Sequence, residues 1–73
     1  MKLIMKTEFD NLRLNDQYCY ENDRNGDKHV VKIYCGDLLI AKKVEKNKSI
    51  RFFGVNGYQQ YLREENKEMI NKN

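Results

Sequence analysis

Few residues of this 73-residue chain could carry chemistry. His29 is the only histidine, and Cys19 and Cys35 are the only thiols. A catalytic imidazole needs a nucleophile or a carboxylate partner held beside it, and a metal-binding one needs further ligands. His29 follows Asp27 and Lys28, with no second histidine and no nucleophile pattern nearby. A solvated residue at the start of a strand accounts for it better than a general base. A zinc site wants about four ligands from Cys, His and carboxylates, which this chain does not assemble. The two cysteines read as structural thiols, free in a reducing compartment. Glu21 to Lys28 has carboxylates ahead of a glycine, as a calcium loop does. With Gly26 at its sixth position, however, Lys32 stands where the closing glutamate should be. Gly54 and Gly57 are followed by no Lys-Ser or Lys-Thr pair, so no phosphate loop is present. Glu64, Glu65 and Glu68 read as a solvated helix face with Lys67 and Lys72 as partners. The expectation is a non-enzyme without metal or cofactor, whose function lies in a surface.

Composition sets the frame for that surface. One small domain spanning 1–73 is expected, in the size range where a single core leaves little net stability. No apolar run approaches the ~18 residues of a membrane span. Residues 1–6 return to charge too soon for the hydrophobic region of a signal peptide. A cytoplasmic protein is expected. Lysines outnumber arginines ten to four and there are nine asparagines, the bias of an AT-rich genome. Phage and mobile-element products in bacterial hosts often share that bias. The net charge of +3 conceals an asymmetry: residues 1–27 carry four basic and six acidic side chains, residues 28–51 seven and two.

The elements that must position this charge follow from hydrophobic period and turn chemistry. Leu3, Met5 and Phe9 alternate with Lys6 and Glu8, which predicts a strand over 2–9 and a loop over 10–17. A meander is expected over 18–55, its runs rich in Val, Ile, Tyr and Phe. Asn25-Gly26 predicts a type I′ turn and Gly36-Asp37 a type II′ turn. With those registers, Tyr18, Tyr20, Val31, Ile33, Cys35, Leu38, Ile40 and Val44 share one face; Cys19, Val30, Lys32, Tyr34, Leu39, Ala41 and Lys43 share the other. A three-residue loop Lys46-Asn47-Lys48 adds Ile50 and Phe52 to the first face, and Arg51, Phe53 and Val55 to the second. Asn56 and Gln59 then open a helix over 57–71, with Tyr58, Tyr61, Leu62, Met69 and Ile70 on its apolar stripe. The expected fold is α+β: an antiparallel meander of three to four strands with one C-terminal α-helix packed on its apolar face.

Either the N-terminal strand or the loop through Leu12 and Leu14 folds across the second face and buries part of it, or that face stays open and is the candidate binding surface. It brings together Lys32, Tyr34, Lys43, Arg51 and Phe53, with Leu39, Lys46 and Lys48 as secondary contributors. Three strands followed by a helix resemble, in topology alone, the arm-binding domains of tyrosine recombinases and AP2-type DNA readers. The resemblance covers residues 28–70, implies a sheet that enters the major groove, and carries over no motif residue. Two readings stand. The first is a small inhibitor or adaptor of phage or mobile-element type, acting against host defence, that occupies a host protein or nucleoprotein through this face. It ranks ahead because +3 is modest for a DNA binder and the acidic segments would repel phosphate. The second is a nucleic-acid-binding module, with lysines and arginine on phosphates and Tyr34 and Phe53 on bases or sugars. Homodimerisation through a sheet edge or the exposed face fits either.

Overall fold

The computed structural model describes residues 1–63. Its elements are β1 (Lys2–Leu3), α1 (Lys6–Arg13), β2 (Cys19–Asn25), β3 (Lys28–Cys35), β4 (Leu38–Lys46), β5 (Ser49–Gly54) and a 3₁₀ turn, Tyr58–Tyr61. The fold is α+β: a five-stranded antiparallel sheet, ordered β1-β5-β4-β3-β2, with a helix near the N-terminus on one face. Strands β2 to β5 form the expected meander. β1 then closes the far side by pairing with β5, Lys2 opposite Gly54 and Leu3 opposite Phe53.

The helix is not where the sequence pattern placed it. Residues 6–13, expected as the end of a strand and the start of a loop, form α1. The last described residues form only the single 3₁₀ turn, and the remainder of the expected 57–71 helix, with Met69 and Ile70, lies outside the described residues. Local chemistry explains α1. The Glu8 carboxylate accepts the Met5 N–H at 3.0 Å, satisfying an amide that the helix leaves orphaned. Lys6 and Asp10 pair at 2.8 Å one turn apart. Phe9 and Leu12, three residues apart, both point inward and are fully buried. Eight residues are too few for a helix to persist alone in water. Burial of these two side chains, worth about 1.5–3 kcal/mol each, holds it on the sheet.

Each hairpin differs from its expected register in an informative way. Asn25 pairs with Lys28, so the turn is Gly26-Asp27, with positive φ (60°) at Gly26 alone. That is the pattern of a type II′ loop rather than the type I′ turn expected of Asn25-Gly26. The shift moves β2 along β3 by two residues, so Tyr20 faces Ile33 rather than Val31 and every side chain keeps its face. The turn Gly36-Asp37 forms as expected, with Cys35 opposite Leu38. Beyond it a β-bulge intervenes: Tyr34 pairs with Leu39 but Ile33 pairs with Ala41, leaving Ile40 as the extra residue. Ile40 and Ala41 are both fully buried. The Ile40 carbonyl accepts the Val55 N–H at 3.0 Å, so its acceptor is satisfied outside the β3–β4 ladder. From Ala41 onward each β4 side chain lies on the face opposite to the one expected. The last hairpin turns on two residues, Asn47-Lys48, not three, and both have positive φ (51° and 67°). This second one-residue change returns Ile50, Phe52, Arg51 and Phe53 to their expected faces.

The core lies between α1 and the inner face of the sheet: Phe9, Leu12, Val31, Ile33, Ile40 and Ala41, with Phe52, Tyr18, Cys35 and Val55 packed around it. The Phe9 and Phe52 rings meet at 5.3 Å. Tyr58 closes one end. It lies against Gly54, where an added Cβ would come within 3.0 Å of the Tyr58 ring and of Ile4. Its hydroxyl donates to Glu8 at 2.7 Å, tying the C-terminal turn to α1. The Tyr18 hydroxyl donates to the Tyr61 carbonyl at 2.8 Å. Both phenols are pushed above their ordinary pKa, Tyr58 chiefly by the bond to Glu8 and Tyr18 chiefly by burial.

Candidate functional site

The outer face of the sheet carries the cations, and no described element packs on it. Strand alternation places Lys28, Val30, Lys32 and Tyr34 of β3 on this face, with Leu39, Lys42, Val44 and Lys46 of β4 and Arg51 and Phe53 of β5. Leu3 of β1 stands beside Phe53 and is 67% exposed. Five cations therefore occupy the outer side of three adjacent strands, and those strands present no carboxylate there. Most of the described acidic residues lie elsewhere. Glu8 and Asp10 are on α1, Glu45 is on the inner face beside His29, and Asp27 and Asp37 are in turns. Among the described residues only Glu21 and Asp23, on the edge strand β2, share the outer face, Glu21 directly opposite Lys32.

The register sets two pairs of like charges directly opposite one another: Lys28 faces Lys46, and Lys32 faces Lys42. Opposed residues on one face have Cβ atoms ~5 Å apart, and like charges at that separation destabilise a sheet. Among the described residues no carboxylate forms an ion pair with any of these four lysines or with Arg51. The Lys42 ammonium instead lies over the Phe53 ring, 5.7 Å from its centre. At the turn, Lys48 holds a left-handed conformation that a glycine would adopt without cost.

No protein-family model matches the chain, and no curated protein or solved structure is detectably similar to it.

Of the residues expected on the binding face, Lys32, Tyr34, Arg51, Phe53, Leu39 and Lys46 lie on the outer side, and Lys48 is in the adjoining turn. Lys43 does not. It pairs with Val31 and Phe52 on the inner side, where it borders a cleft with Phe9 and Arg13. The bulge at Ile40 is the cause, and Lys42 takes the outer position instead. Ala41 and Val44 exchange faces for the same reason, and Val55 leaves the strand to pack against the core. Sequence reasoning missed Lys42 because nothing in Leu38-Leu39-Ile40-Ala41 marks a bulge. It could have found Lys28, which shares the parity of Lys32.

The remaining chemical candidates stay apart. One ring nitrogen of His29 lies 3.3 Å from the Asn22 amide oxygen and the other 4.0 Å from Glu45, at the exposed end of the inner face. Cys19 is on the outer face and Cys35, half-buried, on the inner, so they cannot bond to each other. Among the described residues no three His, Cys, Asp or Glu side chains gather as a metal site would require, and no helix is long and apolar enough to cross a membrane. The likeness to sheet-type DNA readers rested on three strands followed by a helix; among the described residues the helix precedes the meander, and a single 3₁₀ turn follows it.

Proposed function

We propose that the protein binds nucleic acid through the outer face of its sheet. The observation that carries this reading is the pair of opposed lysines, Lys28 with Lys46 and Lys32 with Lys42, on a face without a compensating carboxylate on β3, β4 or β5. Such an arrangement costs the isolated fold stability and becomes favourable once phosphates lie between the ammonium groups. The acidic residues of α1, Glu45 and the turns lie away from the cations, while Glu21 of β2 stands opposite Lys32 and offsets part of its charge, leaving Lys28, Lys42, Lys46 and Arg51 without a cross-strand carboxylate. Tyr34 and Phe53 supply ring surface beside the lysines.

A second reading, an adaptor or inhibitor that occupies an acidic protein surface, is favoured by the aliphatic content of the same face. Val30, Val44, Leu39 and exposed Leu3 suit the apolar centre of an interface, with lysines at its rim.

Fluorescence anisotropy with labelled oligonucleotides tests the first reading. Binding is expected at ~50 mM salt, falling steeply by ~200 mM as counterion release requires. Adjacent residues provide the structural control. Lys42→Ala is expected to weaken binding severalfold, whereas Lys43→Ala, on the inner face, leaves it unchanged. Absence of binding at low salt, or equal effects of the two variants, would refute the assignment.

A further inference from the structure

The outer face is chemically graded from one end to the other. Near the turn at Gly36-Asp37 it carries Tyr34, Leu39, Phe53 and Leu3; near the Asn47-Lys48 turn it carries Lys28, Lys46 and Arg51. Lys32 and Lys42 sit at the boundary. Tyr34 lies one same-side step beyond Lys32, about 7 Å along β3, and Phe53 lies one strand beyond Lys42, about 5 Å away. Two aromatic rings thus flank the central cation pair. The Phe53 ring turns a face to its surroundings, since the Lys42 ammonium lies over it. A duplex keeps its base faces inside the stack and would offer this surface phosphates, sugars and groove edges, with no base face for the rings. A single strand offers phosphates to the lysines and base faces to the rings.

Resting on the reading of the outer face as a nucleic-acid surface, we propose that its ligand is single-stranded nucleic acid. Phe53 and Tyr34 act as base platforms and Lys32 and Lys42 as phosphate contacts. The arriving base takes the Phe53 face, and Lys42 moves from the ring to a phosphate.

The test compares a fluorescein-labelled twelve-nucleotide oligo-dT with a labelled twelve-base-pair duplex at one salt concentration, using the full chain. The strand is expected to bind at least tenfold tighter. Removing a stacking platform costs about 5- to 150-fold per base. Phe53→Ala and Tyr34→Ala should each lower strand affinity within that range while duplex affinity stays where it was, with circular dichroism confirming the fold. The chain has no tryptophan, so Phe53→Trp introduces a single reporter. It should retain affinity, and its emission should be quenched by oligo-dT and not by the duplex. Equal or tighter duplex binding, or ring variants without effect, overturns the single-strand assignment and leaves the phosphate-binding surface standing. Absence of binding to either ligand overturns both.

Discussion

Reversing one lysine should make the protein more stable and a poorer binder at the same time. Lys46 faces Lys28 across β3 and β4, and its neighbour on the other side is the uncharged Ser49. In Lys46→Glu a repulsive pair becomes an attractive one with no other charge pair on the ladder disturbed. Cross-strand charge pairs are worth roughly 0.2–1 kcal/mol, and exposed ones fall in the lower part of that range. Removing the repulsion and adding the attraction gives about 0.5–1 kcal/mol. In a domain of this size that raises Tm by about 2–8 °C. The gain should be largest at low ionic strength and vanish near 1 M salt, where the screening length is about 3 Å. Binding moves the other way. Each phosphate contact on a single strand contributes a slope of about 0.7 in log affinity against log salt, or about fivefold at ~0.1 M relative to 1 M. The substitution deletes a contact and adds a repulsion, so affinity should fall at least fivefold. Thermal melts followed by circular dichroism at two salt concentrations, paired with anisotropy titrations, measure both quantities. A variant that melts lower at low salt, or that binds as tightly as the parent, refutes the reasoning.

Other perturbations test the fold that holds this face. Lys48→Gly places in the last turn the residue its left-handed conformation prefers, and should stabilise the protein by about 1 kcal/mol in a denaturant titration while weakening binding slightly. Gly54→Ala drives a methyl against the Tyr58 ring and Ile4, and should destabilise by about 1–3 kcal/mol, measured in the same way. Alkaline titration followed by phenolate absorbance should find Tyr58 and Tyr18 ionising above the usual tyrosine value, and Glu8→Gln should bring Tyr58 back toward it. Because the folded state raises these values, the stability linked to them is fully present below pH 10 and is lost as pH rises through the folded values.

The meander was legible in the sequence because its signals are local: β-branched and aromatic runs, and two glycine turns. The helix was not, because residues 2–9 are too few to distinguish two periods. Leu3, Met5 and Phe9 fit an alternating strand, while Phe9 and Leu12 fit a helix face, and the decisive facts are tertiary. β5 needs an edge partner, which β1 supplies, and the inner face needs a cover, which Phe9 and Leu12 provide. Tyr58 and Tyr61 are buried or half-buried as an apolar stripe would be, but as one 3₁₀ turn wedged on Gly54 and Tyr18.

The candidate site shows how parity errors propagate along a sheet. Missing the bulge at Ile40 reverses every β4 side chain beyond it, exchanging Lys42 for Lys43 and Ala41 for Val44. Overestimating the last turn by one residue reverses the assignment again. The two errors cancel on β5, so Arg51 and Phe53 were placed on the correct face by an incorrect register. Burial could not expose the mistake, since Ile40 and Ala41 are both apolar and both end up in the core. Charge does expose it. With Lys43 outward, Lys32 would face an alanine-sized gap and the lysines would read as scattered. With Lys42 outward, two lysine pairs stand opposed and Lys42 meets Phe53. The bulge is therefore a structural irregularity that shapes the surface: it sets Lys42 opposite Lys32 and beside Phe53, and turns a diffuse basic strand into an ordered cationic face.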